Sequence, residues 1–165
     1  MAGKPTDRSI RPSLLDRLID EEPGNRNEAP DRRAQSLKEM KDSVRRDLEW
    51  LLNSRRSPAE PALSAKELWR SVYCYGLPDT TGITMSSAED RNRMARLVAS
   101  AVAAFETRLT NVTVSMDPPT ASSRVLHFQI EALLKMEPSP ARVSFDTKLE
   151  VSSGEYEVTG DDRAR

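Results

Sequence analysis

In Phe105-Glu106-Thr107-Arg108-Leu109 a carboxylate and a guanidinium stand two residues apart, where a helix-patterned stretch gives way to strand patterning. A pair held at such a junction either binds a partner or caps a hinge. Residues two apart do not face each other on a helix, so both can act together only if the helix ends near Thr107. Arg108 near that terminus would also favour the negative helix end, by about 0.3–1 kcal/mol when exposed.

No catalytic constellation competes with this pair. His127 is the sole histidine, which removes His-pair metal sites and a self-contained Ser-His-Asp triad. Its alternation places it with Gln129 and Glu131 on a polar strand face, as a surface or partner-facing residue. Cys74 lies between two tyrosines without a second cysteine or an adjacent histidine, and reads as a structural thiol. The glycines form no phosphate-cradling loop, since Gly76 and Gly82 are separated and no Gly-Lys-Ser/Thr follows. Carboxylates are numerous enough for a two-carboxylate glycosidase. Aromatics, however, make up only 5% of the chain, and none forms a platform beside an acidic pair. The reading is a protein without catalytic residues, cofactor or metal.

A second charged block, Arg45-Arg46-Asp47-Leu48-Glu49, has Arg45 and Glu49 spaced for i,i+4 pairing. It is either a solvated helix face laced by weak pairs or a docking surface. In the second case Trp50, Arg55 and Arg56 are the natural anchors. Trp69 is either core or contact.

These residues need elements to position them. Residues 1–33 read as a flexible N-terminal segment carrying one short helix after Pro12, striped by Leu14, Leu15, Leu18 and Ile19. Pro23-Gly24 ends it, and the polar stretch to Arg33 reads as a linker. The apolar stripe of that tethered helix needs another surface, this domain's own or a partner's. A second helix is expected from about Gln35 to Asn53, with Leu37, Met40, Val44, Leu48 and Leu51 on one side. Ser64 and Glu67 have capping-box spacing for a third helix striped by Leu68, Val72 and Tyr75 and stopped at Gly76. Ser86 and Glu89 repeat that spacing before a fourth helix with Met94, Leu97, Val98, Ala101 and Phe105 in its stripe.

The period then changes from 3.6 to 2. Strands are expected around Val112, Val114 and Met116; along Leu126, Phe128, Ile130, Ala132 and Leu134; and through Phe145, Thr147, Leu149 and Val151. A short edge strand, Glu155 to Thr159, precedes a polar tail at 161–165. Helices before consecutive strands imply an α+β domain over 34–160: a small antiparallel or mixed sheet of three to four strands with helices on one face. Short connections favour antiparallel pairing. The sheet edges have no obvious cover; Pro118-Pro119, Pro138 with Pro140 and the outward charge row Asp146, Lys148 and Glu150 would blunt an open edge in the free protein, with the strand of Lys148 as a candidate docking edge.

Composition agrees with a single small domain. The 165 residues are 37% hydrophobic and 31% charged, with a formal net charge of −1. That balance disfavours a nucleic-acid binder relying on excess positive charge. One cysteine allows no internal disulfide and fits a reducing compartment. No secretory h-region is visible, and the most apolar window, Leu97 to Phe105, is far below the roughly 18 residues of a membrane span. The expectation is a soluble cytoplasmic protein that does not insert in a membrane.

The order of several segments resembles a known family. Ser13-Leu14-Leu15-Asp16-Arg17-Leu18, the block from Arg45 to Arg56, Ser71-Val72-Tyr73-Cys74-Tyr75-Gly76-Leu77-Pro78-Asp79, and Phe105-Glu106-Thr107-Arg108-Leu109 are similar to motifs of the TssE family of type VI secretion baseplate subunits. TssE is in turn similar to the wedge protein of contractile phage tails that initiates the sheath. The resemblance covers about residues 10–158. It departs at Thr107, where the family usually has proline, so that Glu106 loses its bias toward extended geometry. It departs also at Cys74, where asparagine is frequent.

The resemblance implies a structural protein that sits with TssF and TssG in the baseplate wedge, near TssK, and onto which the first TssB–TssC sheath ring builds. It implies a cytoplasmic location at the inner-membrane-docked baseplate. It also implies contacts through Glu106 and Arg108, through Arg45, Arg46, Asp47, Trp50, Arg55 and Arg56, and through Leu14, Leu15 and Leu18. Rival classes are a lysozyme-like glycoside hydrolase acting on peptidoglycan, a label the phage relatives carry, and a free cytoplasmic adaptor using its sheet edge.

Overall fold

Met40, Val44, Leu48 and Leu51 recur every three or four residues, and in the computed structural model they form the buried stripe of helix α1, Leu37–Asn53. The structure describes residues 37–160 apart from Thr81, Met85, 119–124, 137–138 and Val151. The expected first helix with Leu14, Leu15 and Leu18, the segment 1–33 and the tail 161–165 therefore lie outside the described residues. Leu52 joins the α1 stripe, whereas Leu37, expected on it, is exposed.

After α1 come a single-turn helix α2, Lys66–Trp69, a 3-10 turn, Val72–Cys74, and the long helix α3, Ala88–Phe105. Strands β1 (Leu109–Met116), β2 (Val125–Leu134), β3 (Ala141–Glu150) and β4 (Glu155–Gly160) follow as one antiparallel meander in the order β1-β2-β3-β4. This is the expected α+β domain with four strands. Alternation decides the faces, as period 2 requires. Leu126, Phe128, Ile130, Ala132 and Leu134 of β2 are buried, as are Val143, Phe145, Thr147 and Leu149 of β3 and Tyr156 and Val158 of β4. Helix α3 lies on β1 and α1 on β4, and Met94, Val98 and Val102 close the core with the α1 stripe.

Two capping expectations are corrected. Ser64 does not cap α2, because Ala65 is the N-cap and makes no side-chain cap bond. The stripe of Leu68, Val72 and Tyr75 does not form either, since the chain leaves the helix at Arg70 and Val72 is exposed. Ser71 is the local cause: its hydroxyl donates to Leu68 O at 2.8 Å and accepts from Tyr73 N at 3.3 Å, which restarts the chain as a 3-10 turn. At α3 the cap is Ser87 rather than Ser86. Its hydroxyl accepts from Asp90 N at 3.4 Å, while the Asp90 carboxylate accepts from Thr84 N at 3.0 Å. The box is shifted by one residue and closes on Thr84 instead of on the cap itself.

Gly76 is the expected left-handed position, with φ at 101°. A Cβ there would sit 2.4 Å from Ser54 O, the atom that accepts from Leu77 N at 2.9 Å. Only glycine lets the connection return against the end of α1.

Candidate interaction site: the charged junction and the sheet edges

Helix α3 ends at Phe105, and Glu106 adopts φ −98°, ψ 84°, outside the helical region. That satisfies the condition under which residues two apart can act together. Glu106 N still donates to Val102 O at 2.8 Å, and Glu106 O accepts from Leu109 N at 3.1 Å. One carboxylate oxygen of Glu106 accepts from Arg108 N at 3.1 Å and from Arg108 Nε at 2.7 Å, and the other accepts from Arg108 Nη2. Just past the end of β2, Lys135 holds the same turn, donating its backbone N–H to Arg108 O at 2.8 Å and Nζ to Thr107 O at 2.7 Å.

The guanidinium does not stop at Glu106. Arg108 Nη1 donates to Ser43 Oγ at 3.0 Å and Nη2 donates to Asp47 Oδ2, both on α1. Asp47 Oδ1 in turn accepts from Arg46 Nε at 3.2 Å and Nη2 at 3.0 Å, and the Arg46 guanidinium lies 5.1 Å from the centre of the Trp50 ring. Charges thus alternate from Glu106, which is 6% exposed, out to Trp50, which is 50% exposed. Burial alone would lower the Arg108 pKa, but the hydrogen bonds and charges of Glu106 and Asp47 outweigh it and raise the pKa above its ordinary value. Tyr75, edge-on to Phe105 with ring centres 5.3 Å apart, has its own pKa raised by burial and by the charges of Asp47 and Glu106.

The junction is therefore an internal clamp between α1 and the α3–β1 turn. The structure brings together Glu106, Arg108, Asp47 and Arg46 from the expected set, with Trp50 at the outer end. Ser43, Tyr75 and Lys135 escaped the sequence reading, because nothing in their spacing reports a partner more than twenty residues away.

Of the other basic residues, Arg45 and Arg55 line the opposite end of the sheet, whereas Arg56 turns to the connection after α1. Arg45 Nη1 donates to Val158 O at 3.4 Å and pairs with Glu49 at 3.5 Å. Arg55 donates to Leu52 O and Gly154 O, each at 3.2 Å. Arg56 pairs with Glu60 at 3.0 Å and lies 6.0 Å from the Trp69 ring centre. Asn53 does most: its amide donates to Tyr156 O at 2.8 Å and its oxygen accepts from Tyr156 N at 2.9 Å. That is the bonding an added strand would make at one residue of an edge. The expectation of uncovered edges is thus corrected in part at β4, where Tyr156 N, Tyr156 O and Val158 O are occupied from α1. The charge row Asp146, Lys148 and Glu150 is corrected as well, since β3 is paired on both sides and is no edge.

The remaining edge is β1. The bond from Asp117 N to His127 O at 3.0 Å sets the phase of the β1–β2 ladder, so Thr113 and Ser115 bond to β2 while Val114 and Met116 turn their backbone groups outward. Among the described residues, nothing hydrogen-bonds those outward groups. The strand sequence Leu109–Met116 contains no charge and no proline, and its inward Val112, Val114 and Met116 are only half buried. Asn111, at φ 53°, marks a bulge between Thr110 and Thr113.

Among the described residues there is no His/Cys/Asp/Glu cluster suited to a metal, and no helix is long and apolar enough to cross a membrane. No curated protein matches the chain. A solved chain described as "The baseplate complex from the type VI secretion system" is similar at 18% identity, over 67% of this chain and 94% of that chain, with a TM-score of 0.45. A family model described as "Baseplate wedge protein gp25" matches residues 38–139, from α1 through the charged junction and β1 to the end of β2. With well over half its length in that match, including both the clamp and the open edge, the chain belongs to the baseplate wedge protein gp25 family.

Proposed function

We infer that the protein is a structural subunit of a baseplate of the type VI secretion kind, which docks the contractile sheath and initiates its assembly rather than catalysing a reaction. The observation that carries this reading is the asymmetry of the two sheet edges. Side chains of α1 occupy Tyr156 N, Tyr156 O and Val158 O on β4, while β1 offers outward main-chain groups on an uncharged strand. Exposed edges are aggregation templates, which natural proteins blunt with charge or proline. An edge left without either suits a partner strand, for which main-chain bonds supply affinity and alternating side chains supply selectivity.

In this reading the clamp of Glu106 and Arg108 fixes the angle at which β1 leaves α3, and so the direction of the docking edge. TssB–TssC sheath subunits are the strand donors. TssF and TssG, with TssK nearby, hold the α1 face that carries Arg45, Arg46, Asp47, Trp50, Arg55 and Arg56. The site of action is the cytoplasmic face of the inner membrane.

The test is Val114→Pro. It removes an outward N–H and no β1–β2 ladder bond, so the variant folds and still co-purifies with TssF and TssG, yet fails to seed sheath polymerisation. Unimpaired seeding by a folded Val114→Pro protein overturns the edge assignment. Absence of wedge proteins from a pull-down of the tagged wild-type chain overturns the baseplate reading, and cleavage of peptidoglycan by the purified protein overturns the non-catalytic one.

A further inference from the structure

The connection between α1 and α3 carries an apolar surface that the domain leaves to solvent. Leu63 is 89% exposed and Val72 90%, and Leu68 and Tyr73 are each 39% exposed. The backbone beneath them is held in place: Trp69 Nε1 donates to Ala62 O at 3.3 Å and Tyr73 Oη to Ala59 O at 3.0 Å. Large apolar side chains on a fixed backbone, grouped within residues 59–73, mark an interaction surface rather than a scatter of surface residues. Lys66 and Arg70 flank them, both exposed.

We propose that this surface is the docking site for residues 13–22 of the same chain. The sequence there, Ser13-Leu14-Leu15-Asp16-Arg17-Leu18-Ile19-Asp20-Glu21-Glu22, puts four aliphatic side chains within one helical stripe. Asp16, Asp20, Glu21 and Glu22 against the single Arg17 give the segment an acidic character that complements Lys66 and Arg70. Reach is sufficient. The chain from Asp20 to the start of α1 at Leu37 spans up to about 60 Å when extended. Helix α1, whose far end joins the patch, is only about 25 Å long. A short covalent tether keeps the effective concentration of the segment in the millimolar range, so a weak contact suffices to cover the patch.

Hydrogen exchange on the full-length protein tests this. Amides of residues 63–73 should exchange about tenfold faster in Leu15→Asp/Leu18→Asp than in wild type, with exchange in β2 and β3 unchanged. Lys66→Glu/Arg70→Glu should loosen the patch in the same way, and adding Asp16→Lys/Asp20→Lys to it should restore the protection. Equal exchange in wild type and Leu15→Asp/Leu18→Asp overturns the proposal. So does failure of the charge swap to restore protection, and so does protection that grows with protein concentration, which would assign the occupant to a second copy of the chain.

Discussion

Truncating Arg108 is the sharpest probe of the clamp. The Glu106 side chain is 8% exposed and those of Arg108 and Asp47 are 18% and 21% exposed, so Arg108→Ala strands one buried carboxylate and one half-buried one. Removing one member of a buried ion pair costs about 3–5 kcal/mol, because the survivor keeps its desolvation without its partner. Asp47 retains Arg46, which places the expectation at the lower end, about 3 kcal/mol. For a domain of this size that corresponds to a fall in Tm of about 10 °C. Calorimetry of wild type, Glu106→Ala, Arg108→Ala and the double variant should give a coupling energy of about 1–3 kcal/mol between the two positions. The double variant should be no less stable than Arg108→Ala, since neither charge is then left alone. A Tm within about 2 °C of wild type for Arg108→Ala, with zero coupling, would refute the clamp and leave a direct partner contact as the role of the pair.

Thr107→Pro should be tolerated or stabilise by about 0.4–1 kcal/mol in chemical denaturation. The Thr107 N–H donates no hydrogen bond among the described residues, and Glu106 is already outside the helical region that a following proline disfavours. Tyr156→Phe should flatten the alkaline limb of the stability profile. Burial, opposed in part by Arg55, raises the Tyr156 pKa from 10.0 to about 12, so the unfolded chain ionises first and stability falls between those values. The wild-type loss is about 2–3 kcal/mol across that window, and since Tyr156 Oη has no hydrogen-bond partner among the described residues, the variant should be at least as stable at neutral pH. Asn53→Ala should cost about 1–3 kcal/mol by releasing Tyr156 N and O, and light scattering should show concentration-dependent association through the exposed β4 edge.

Wherever a pattern repeats, the amino-acid order alone was enough. The alternation of Leu126 through Leu134 and of Phe145 through Leu149 specified two strands and their buried faces, because period 2 leaves one face to the core. The Met40-to-Leu51 repeat specified α1 in the same way, and short connections specified antiparallel pairing. Glu106 and Arg108 were visible as a pair because they sit at the change of period. Their role was not visible, since the choice between partner and hinge depends on Ser43 and Asp47 arriving from another helix. Short-range capping was legible only to within a residue: Ser64 had the spacing for a cap, but Ala65 took the N-cap position, and Ser71 offered the backbone an alternative after one turn. The edges were the largest gap. Neighbours in a sheet are fixed by folding, so only the tertiary structure decided that Lys148 lies in an interior strand, that Asn53 stands in for a strand at Tyr156 of β4, and that Val114 and Met116 of β1 turn their backbone groups outward without a partner among the described residues.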